Sequence, residues 1–113
     1  PYDIALELLN EILKLMNKPS INNITDFTVI RNDFSNVNGV DFIKKFSDKF
    51  LKIGINHKQH LKYSCRGNSN YYIIHLTKSI IEYNGAYEMK IIRKNVKKNG
   101  KQKLISIYKA MKI

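Results

Sequence analysis

Disulfide chemistry is excluded by composition, because this chain of 113 residues holds a single cysteine, Cys65. One thiol cannot form an intramolecular disulfide, so we expect a reducing intracellular compartment. Tryptophan is absent, and the five glycines are scattered, so none belongs to a glycine-rich phosphate loop. No apolar run approaches the ~20 residues of a membrane-spanning helix, and the acidic N-terminal residues do not fit a signal or transit peptide. We therefore expect no membrane that the chain would span.

Acidic residues are also scarce: nine stand against twenty lysines and arginines, for a net charge of +11. The imbalance is confined to one part of the chain. Residues 1–50 hold six basic and seven acidic residues, whereas residues 51–113 hold fourteen basic and two acidic ones. A field this one-sided favours a polyanionic partner, either nucleic acid or an anionic membrane surface, over a small substrate.

The residue types that carry catalysis or hold metals do not form a convincing set. His57, His60 and Cys65 are close in sequence, but a structural zinc site usually needs four ligands and no other thiol or carboxylate is near. Seven of the nine acids lie in residues 1–50, and no pair of them suggests a general acid and base. We therefore predict no metal, no cofactor and no enzymatic activity.

Two stretches have the three- and four-residue apolar spacing of amphipathic helices. The first covers residues 4–16, with Asp3 as its N-terminal cap and Pro19 just beyond its end. The second runs from about Val40 to Ile53 and is followed by Gly54, which suits a helix C-terminus. The core-facing side of the second helix is aromatic and comprises Phe42, Phe46 and Phe50.

Runs rich in β-branched and aromatic residues predict strands at Phe27–Arg31, Leu61–Cys65 and Tyr71–Leu76. The polar stretch Asn32–Gly39 is predicted to be a loop, and residues 77–85 fit either a strand or a turn. Together these elements predict a single α+β domain over residues 1–113, with two amphipathic helices packed on a small antiparallel sheet. Phe46 and Ile73 should then be buried.

The segment Ala86–Ile113 concentrates the charge, with one acid, Glu88, among nine basic residues. The basic residues are Lys90, Arg93, Lys94, Lys97, Lys98, Lys101, Lys103, Lys109 and Lys112. Asn99-Gly100 tolerates the positive φ angles of a tight turn, and apolar residues flank it on both sides, so we predict a basic β-hairpin. A helix is the alternative, because Leu104, Ile107, Tyr108 and Met111 also share a helical face.

These features together suit nucleic acid binding. Lysines neutralise phosphates and release counterions. Tyrosines interleaved with them could stack on unpaired bases, although packing within strands is the more common role of such tyrosines. The polar loop from Arg66 to Asn70 could donate hydrogen bonds to phosphate oxygens. On these grounds the candidate RNA-binding residues are Lys62, Arg66, Asn68 and Arg93.

Four phrases of the sequence resemble one known family. They are DIALELLNEILKLMNKP, FIKKFSDKFLKIGI, NYYIIHLTK and NGAYEMKIIRKNVKKNGKQKLISIYKAM. Their order and layout resemble the N-terminal half of small-subunit ribosomal protein eight. The resemblance implies binding to ribosomal RNA beside neighbouring ribosomal proteins, with an organelle-encoded mitochondrial component favoured over a cytoplasmic one. It further implies RNA contacts from Asn17, Lys18, Lys94, Lys97, Lys98, Lys101 and Lys103.

The chain departs from that family in two respects. The family's C-terminal half, with its Ser-Thr-Ser-type motif, has no counterpart here, so a second chain would have to supply it. Asn99 stands where the family has a proline before its inter-domain hinge.

A DNA-binding regulator of winged-helix type, from a large DNA virus or a phage, is the alternative. In that hypothesis Lys44, Lys45, Lys49 and Lys52 of the second helix face the major groove, and Arg66 lies at the tip of a two-stranded wing formed by residues 60–76. The helix offers no Arg, Asn or Gln for reading base edges, which counts against it. An adaptor for anionic membranes or acidic proteins is a third class, which explains the charge but not the tyrosines.

Overall fold

A computed structural model describes residues 2–56 and 69–113, and within them it contains three α-helices, two 3-10 turns and three β-strands. The helices are α1 (Tyr2–Leu15), α2 (Gly39–Lys52) and α3 (Ser69–Glu82). The strands are β1 (Thr28–Ile30), β2 (Tyr87–Lys98) and β3 (Lys101–Lys112). Helices packed on an antiparallel sheet confirm the predicted α+β class. The predicted strand Leu61–Cys65 lies outside the described residues.

The first helix, α1, buries one apolar face and ends in a turn that fixes the residues after it. Its fully buried residues are Ala5, Leu8, Leu9 and Ile12. Asn17 takes a φ of 58°, and the Lys18 N–H donates to the Leu13 carbonyl at 2.9 Å, which closes the helix end. The helix begins at Tyr2, so Asp3 lies in its first turn and is not the predicted cap.

The second helix, α2, begins and ends through specific caps. The Asn38 side-chain oxygen accepts a hydrogen bond from the Asp41 N–H at 3.2 Å. At the other end Gly54 takes a φ of 77°, and the Ile55 N–H donates to the Phe50 carbonyl at 2.9 Å. The predicted helix and its glycine stop are therefore confirmed, with bounds one residue earlier than expected.

The aromatic face of α2 is only partly buried. Phe42 and Phe50 are 3% and 0% exposed, and their rings meet edge-on with centroids 5.9 Å apart. Phe46 lies between them but is half-buried, because the helix is kinked there with a φ of −115° and a ψ of 20°. The Phe46 ring still packs against that of Phe42, with centroids 4.8 Å apart, so it lies at the margin of the core. The prediction that Phe46 is a buried core residue is therefore wrong in degree.

The segment predicted as a strand at Tyr71–Leu76 lies within α3, so that prediction is wrong. Its buried residues Tyr72, Ile73, Leu76, Ile80 and Ile81 follow helical spacing. Buried Thr77 shares that face, and its hydroxyl donates to the Ile73 carbonyl at 2.8 Å. A short apolar run that is rich in tyrosine and isoleucine cannot distinguish a strand from a buried helix. The burial of Ile73 is confirmed, at 0% exposure.

The three strands form an antiparallel sheet in the order β1-β3-β2. β2 and β3 pair along their whole length around Asn99 and Gly100, whose φ angles of 55° and 75° define a type I′ turn. The predicted hairpin is confirmed, and the helical alternative for this segment is wrong. β1 pairs only with residues 107–109 of β3.

The stretch predicted as a polar loop, Asn32–Gly39, is also structured. Residues Arg31–Asn36 form a 3-10 turn, and Phe34 within it is fully buried. The Phe34 ring meets that of Tyr108 edge-on, with centroids 5.3 Å apart. One aromatic residue in a polar stretch is thus enough to anchor the turn on the sheet.

Gly39 leaves no space for a side chain, which gives a first prediction. A Cβ added there would lie 2.4 Å from Cδ1 of the fully buried Tyr72. Because such overpacking forces the core to shift, we expect Gly39→Ala to lower the free energy of unfolding by about 1–3 kcal/mol, as measured by urea denaturation. With Tyr72→Leu in the background, the penalty should shrink, since the clash is lost. Strictly additive penalties would contradict this contact.

Candidate nucleic-acid interface

The hairpin extends beyond the body of the domain. β1 ends at Ile30, opposite Ile107, so six residue pairs from Arg93–Ser106 to Lys98–Lys101 continue as two strands only. We call residues 93–106 the ribbon; at ~3.3 Å per residue it is ~20 Å long. Side-chain exposure increases from the base of the hairpin towards its turn. Met89 and Ala110 at the base are buried, whereas Leu104 is 60% exposed.

The base of the β2–β3 hairpin is anchored to the body of the domain. The Glu82 carboxylate at the end of α3 accepts a hydrogen bond from the Met89 N–H at 2.8 Å. On the other edge, the Ala110 N–H donates to the Phe27 carbonyl at 3.1 Å. The continuous ladder and the type I′ turn set the register of the two strands, so each side chain of the ribbon belongs to a defined face.

Every charged residue of the ribbon is basic and exposed. The six are Arg93, Lys94, Lys97, Lys98, Lys101 and Lys103. Ion pairs elsewhere in the described part of the chain join Lys18 to Asp33, Lys49 to Glu7 and Lys90 to Glu88, and none of the six takes part in them. Six cations within ~20 Å repel one another and create a positive potential that attracts polyanions.

The two faces of the ribbon carry different chemistry. Side chains alternate between faces along a strand, and buried Tyr108 and Ala110 show which positions lie on the same side as the helices. The helix-side face of the ribbon therefore comprises Arg93, Asn95, Lys97, Gln102, Leu104 and Ser106. The outer face comprises Lys94, Val96, Lys98, Lys101, Lys103 and Ile105.

A cleft of about 330 Å³ lies where the ribbon leaves the body. It is lined by Ile30, Arg31, Asn32, Arg93 and residues 103–106. Its wall is tied to the end of α1, because the Asp33 carboxylate accepts from the Ile30 N–H at 2.9 Å and lies 3.6 Å from the Lys18 Nζ. Three basic residues, Arg31, Arg93 and Lys103, thus line one concave surface.

The structure brings together some of the sequence-predicted residues and not others. Arg93, Lys94, Lys97, Lys98, Lys101 and Lys103 share the ribbon. Asn17 and Lys18 lie in the turn after α1, and the charge of Lys18 is partly balanced by Asp33. Lys62, Arg66 and Asn68 lie outside the described residues, as do His57, His60 and Cys65.

Sequence reasoning missed four polar residues of this surface. Arg31 and Asn32 line the cleft because the chain turns away from the sheet directly after β1. Asn95 and Gln102 lie on the helix-side face of the ribbon, beside Arg93 and Lys97. The signal for these two was present, since the Asn-Gly turn sets the register and alternation then assigns each residue to a face.

Tyrosine stacking on bases has less support than the lysine contacts. Tyr72 and Tyr108 are 0% and 6% exposed, so their rings serve the core. Burial raises the pKa of the Tyr72 hydroxyl to about 12.

His75 of α3 does not add to the positive charge at neutral pH. Burial, and after it the charge of Lys78, lower the pKa of this histidine.

The lysines of α2 are less available than those of the ribbon. Lys49 is paired with Glu7 of α1. Lys45 lies 5.3 Å from the centroid of the Phe46 ring, and Lys49 lies 5.6 Å from it. The wing predicted beyond this helix is also wrong in its second strand, which belongs to α3.

No family model, no curated protein and no solved structure matches the chain. None of the helices described is long and apolar enough to cross a membrane. Within residues 2–56 and 69–113, no group of three or more His, Cys, Asp or Glu residues is placed to hold a metal ion.

Proposed function

We propose that this protein binds nucleic acid through the ribbon and the cleft at its base. The observation that carries the proposal is that six exposed cations share a protruding ribbon that contains no acidic residue. Each lysine or arginine that neutralises a phosphate releases a counterion, which is the main sequence-independent source of nucleic acid affinity. The paired strands of the ribbon hold these cations close together along one protruding element.

Duplex DNA fits the shape of the ribbon better than duplex RNA does. Two strands ~4.8 Å apart form a narrow ribbon, and the ~12 Å major groove of B-form DNA admits a two-stranded β-ribbon. The major groove of A-form RNA is deep and too narrow for side chains to read. Groove dimensions thus support the DNA-binding hypothesis.

The order of elements supports the same ligand. Three helices and a short strand precede the ribbon, and the order helix, strand, helix, helix, strand, strand resembles the layout of winged-helix DNA-binding modules. In this version of the hypothesis the wing is the β2–β3 hairpin and not residues 60–76. Because one fold can serve many functions, the cations of the ribbon support the proposal more strongly than the order of elements does.

Ribosomal RNA binding stays a second candidate. It is favoured by the position of Lys94, Lys97, Lys98, Lys101 and Lys103, which the ribosomal resemblance implies as RNA contacts and which all project from the ribbon into solvent. Single-stranded loops of a folded RNA, rather than its helices, would have to receive the ribbon.

A competition titration tests the proposal and separates the two ligands. We expect the full chain to bind a B-form duplex with a log–log salt slope of about −4 to −5, close to −0.9 for each of the ribbon cations that contacts a phosphate. The same duplex should compete better than a structured RNA of equal length at fixed salt. A slope shallower than about −2 would overturn the electrostatic account. Stronger competition by the RNA would replace the DNA hypothesis with the ribosomal one.

A further inference from the structure

We propose that the helix-side face of the ribbon reads base sequence, with Arg93, Asn95 and Gln102 as the residues that determine specificity. This inference rests on the proposed function and deepens it. It assigns sequence recognition to one face of the ribbon and phosphate binding to the other, so the protein selects particular duplex sites as well as attracting DNA in general.

The side chains on the helix-side face have the chemistry that base edges require. An arginine fork donates two hydrogen bonds to O6 and N7 of guanine, and the side-chain amide of asparagine or glutamine pairs with N6 and N7 of adenine. Arg93, Asn95 and Gln102 provide one such arginine and two such amides, and all three are exposed. Exposed Leu104 lies opposite Asn95 and can contact the methyl group of thymine.

The spacing of these residues matches stacked base pairs. From Arg93 to Lys97 the strand advances ~13 Å at ~3.3 Å per residue, which is about four base pairs of duplex. Cross-strand pairing places Ser106, Leu104 and Gln102 beside Arg93, Asn95 and Lys97 in turn. The face is therefore a two-by-three array that spans about four base pairs. We expect a preferred site that contains guanine at one end and adenine or thymine beside it.

The outer face lacks the same capacity. Its polar side chains are all lysines, Lys94, Lys98, Lys101 and Lys103, with Val96 and Ile105 between them. An ammonium on a flexible four-carbon stem is a point charge without the planar fork of arginine, so it suits phosphates more than it discriminates between bases. With the helix-side face on the floor of the groove, these long side chains can reach the phosphates along its rims.

The cleft at the base of the ribbon adjoins the helix-side face, and its lining also includes Lys103 and Ile105 of the outer face. Arg93 and Ser106 belong to both surfaces, and Arg31 and Asn32 stand across the cleft from the ribbon. A DNA backbone that crosses the base of the ribbon would meet Arg31 there. This contact would fix the register of the ribbon along the duplex without carrying sequence information.

The test begins with selection of bound duplexes from a random 20-base-pair pool by the full chain. Affinities are then measured for the selected duplex and for a scrambled duplex of the same composition. Asn95→Ala with Gln102→Ala leaves the net charge unchanged, so we expect the ratio of the two affinities to fall at least 10-fold, with the scrambled duplex bound within about 3-fold of the original affinity. Arg93→Lys keeps the charge but loses the fork, and we expect a similar loss of the ratio.

The matched control is Lys98→Ala with Lys101→Ala at the tip of the ribbon, on its outer face. It should weaken binding to both duplexes equally and make the salt slope shallower by about 2. Exposed substitutions usually change stability by less than about 0.5 kcal/mol. We therefore expect thermal denaturation to show that every variant is folded.

The outcomes separate this inference from the proposed function. If no sequence is enriched, or if Asn95→Ala with Gln102→Ala weakens both duplexes alike, the base-reading assignment is overturned while nucleic acid binding stands. If the chain binds no duplex, or binds it without dependence on salt, the proposed function itself fails.

Discussion

Replacing Lys98, Lys101 and Lys103 with glutamine is expected to weaken duplex DNA binding by about 100-fold at 0.15 M salt. Each phosphate contact contributes ~0.9 to the log–log salt slope, and 0.15 M lies ~0.8 log units below 1 M, so three lost contacts amount to about two orders of magnitude. All three residues are exposed and form no ion pair within residues 2–56 and 69–113. The domain should therefore remain folded. Fluorescence anisotropy at several salt concentrations measures both the affinity and the slope.

The control carries the same loss of charge on a different surface. Lys44, Lys45 and Lys52 are exposed on α2, and they are three of the four lysines that the sequence-based winged-helix hypothesis places in the major groove. Replacing these three with glutamine should weaken binding by less than about 10-fold, since only the long-range field changes. If the α2 variant lost more affinity than the ribbon variant, binding would have to be assigned to the helix.

Phe50→Ala is expected to lower the free energy of unfolding by about 3–5 kcal/mol, because it removes a fully buried ring and leaves a cavity. Against a total stability of about 5–15 kcal/mol, that loss would bring the domain close to unfolding at 25 °C. Urea denaturation with a spectroscopic probe of helix content gives the difference directly.

The neighbouring residues of α2 supply graded controls for this experiment. Phe46→Ala should cost less than Phe50→Ala, since the Phe46 ring at the kink is only partly buried. Leu51 is 62% exposed, so Leu51→Ala should change stability by less than about 0.5 kcal/mol. An equal or larger cost at Phe46 than at Phe50 would show that the kink does not reduce the burial of Phe46.

Local sequence predicts local structure well in this chain. The apolar spacing of α1 and α2 gives their positions to within two residues, and Asn99-Gly100 specifies the turn of the hairpin. These signals act within one element, where backbone geometry and side-chain pattern depend on few residues. The same signals fail for α3, because the predicted strand covers only six residues, too few to distinguish a strand from a buried helix.

Tertiary features could be predicted less well. Whether the residues around Leu104 are covered depends on how far β1 pairs along β3, and three residues of β1 far away in sequence decide that. The cleft likewise forms because the fold brings Arg31 and Asn32 to the same cleft as Arg93, although they are far apart in the sequence. Composition predicts the charge of the site and the turn predicts its two faces, but only the burial of Tyr108 and Ala110 shows which face lies on the side of the helices.

The pairing of β1 with β3 has a consequence for the order of folding. Thr28 pairs with Lys109, which lies about eighty residues later in the chain. The two ends of this long segment must therefore meet before β1 joins the sheet. The β2–β3 hairpin closes across a two-residue turn and pays little loop entropy, so it can form within microseconds. We infer that the hairpin is an early template and that β1 docks onto it late, with Phe34 and Tyr108 packing as it docks. During synthesis on the ribosome, β1 would therefore remain unpaired until the hairpin emerges.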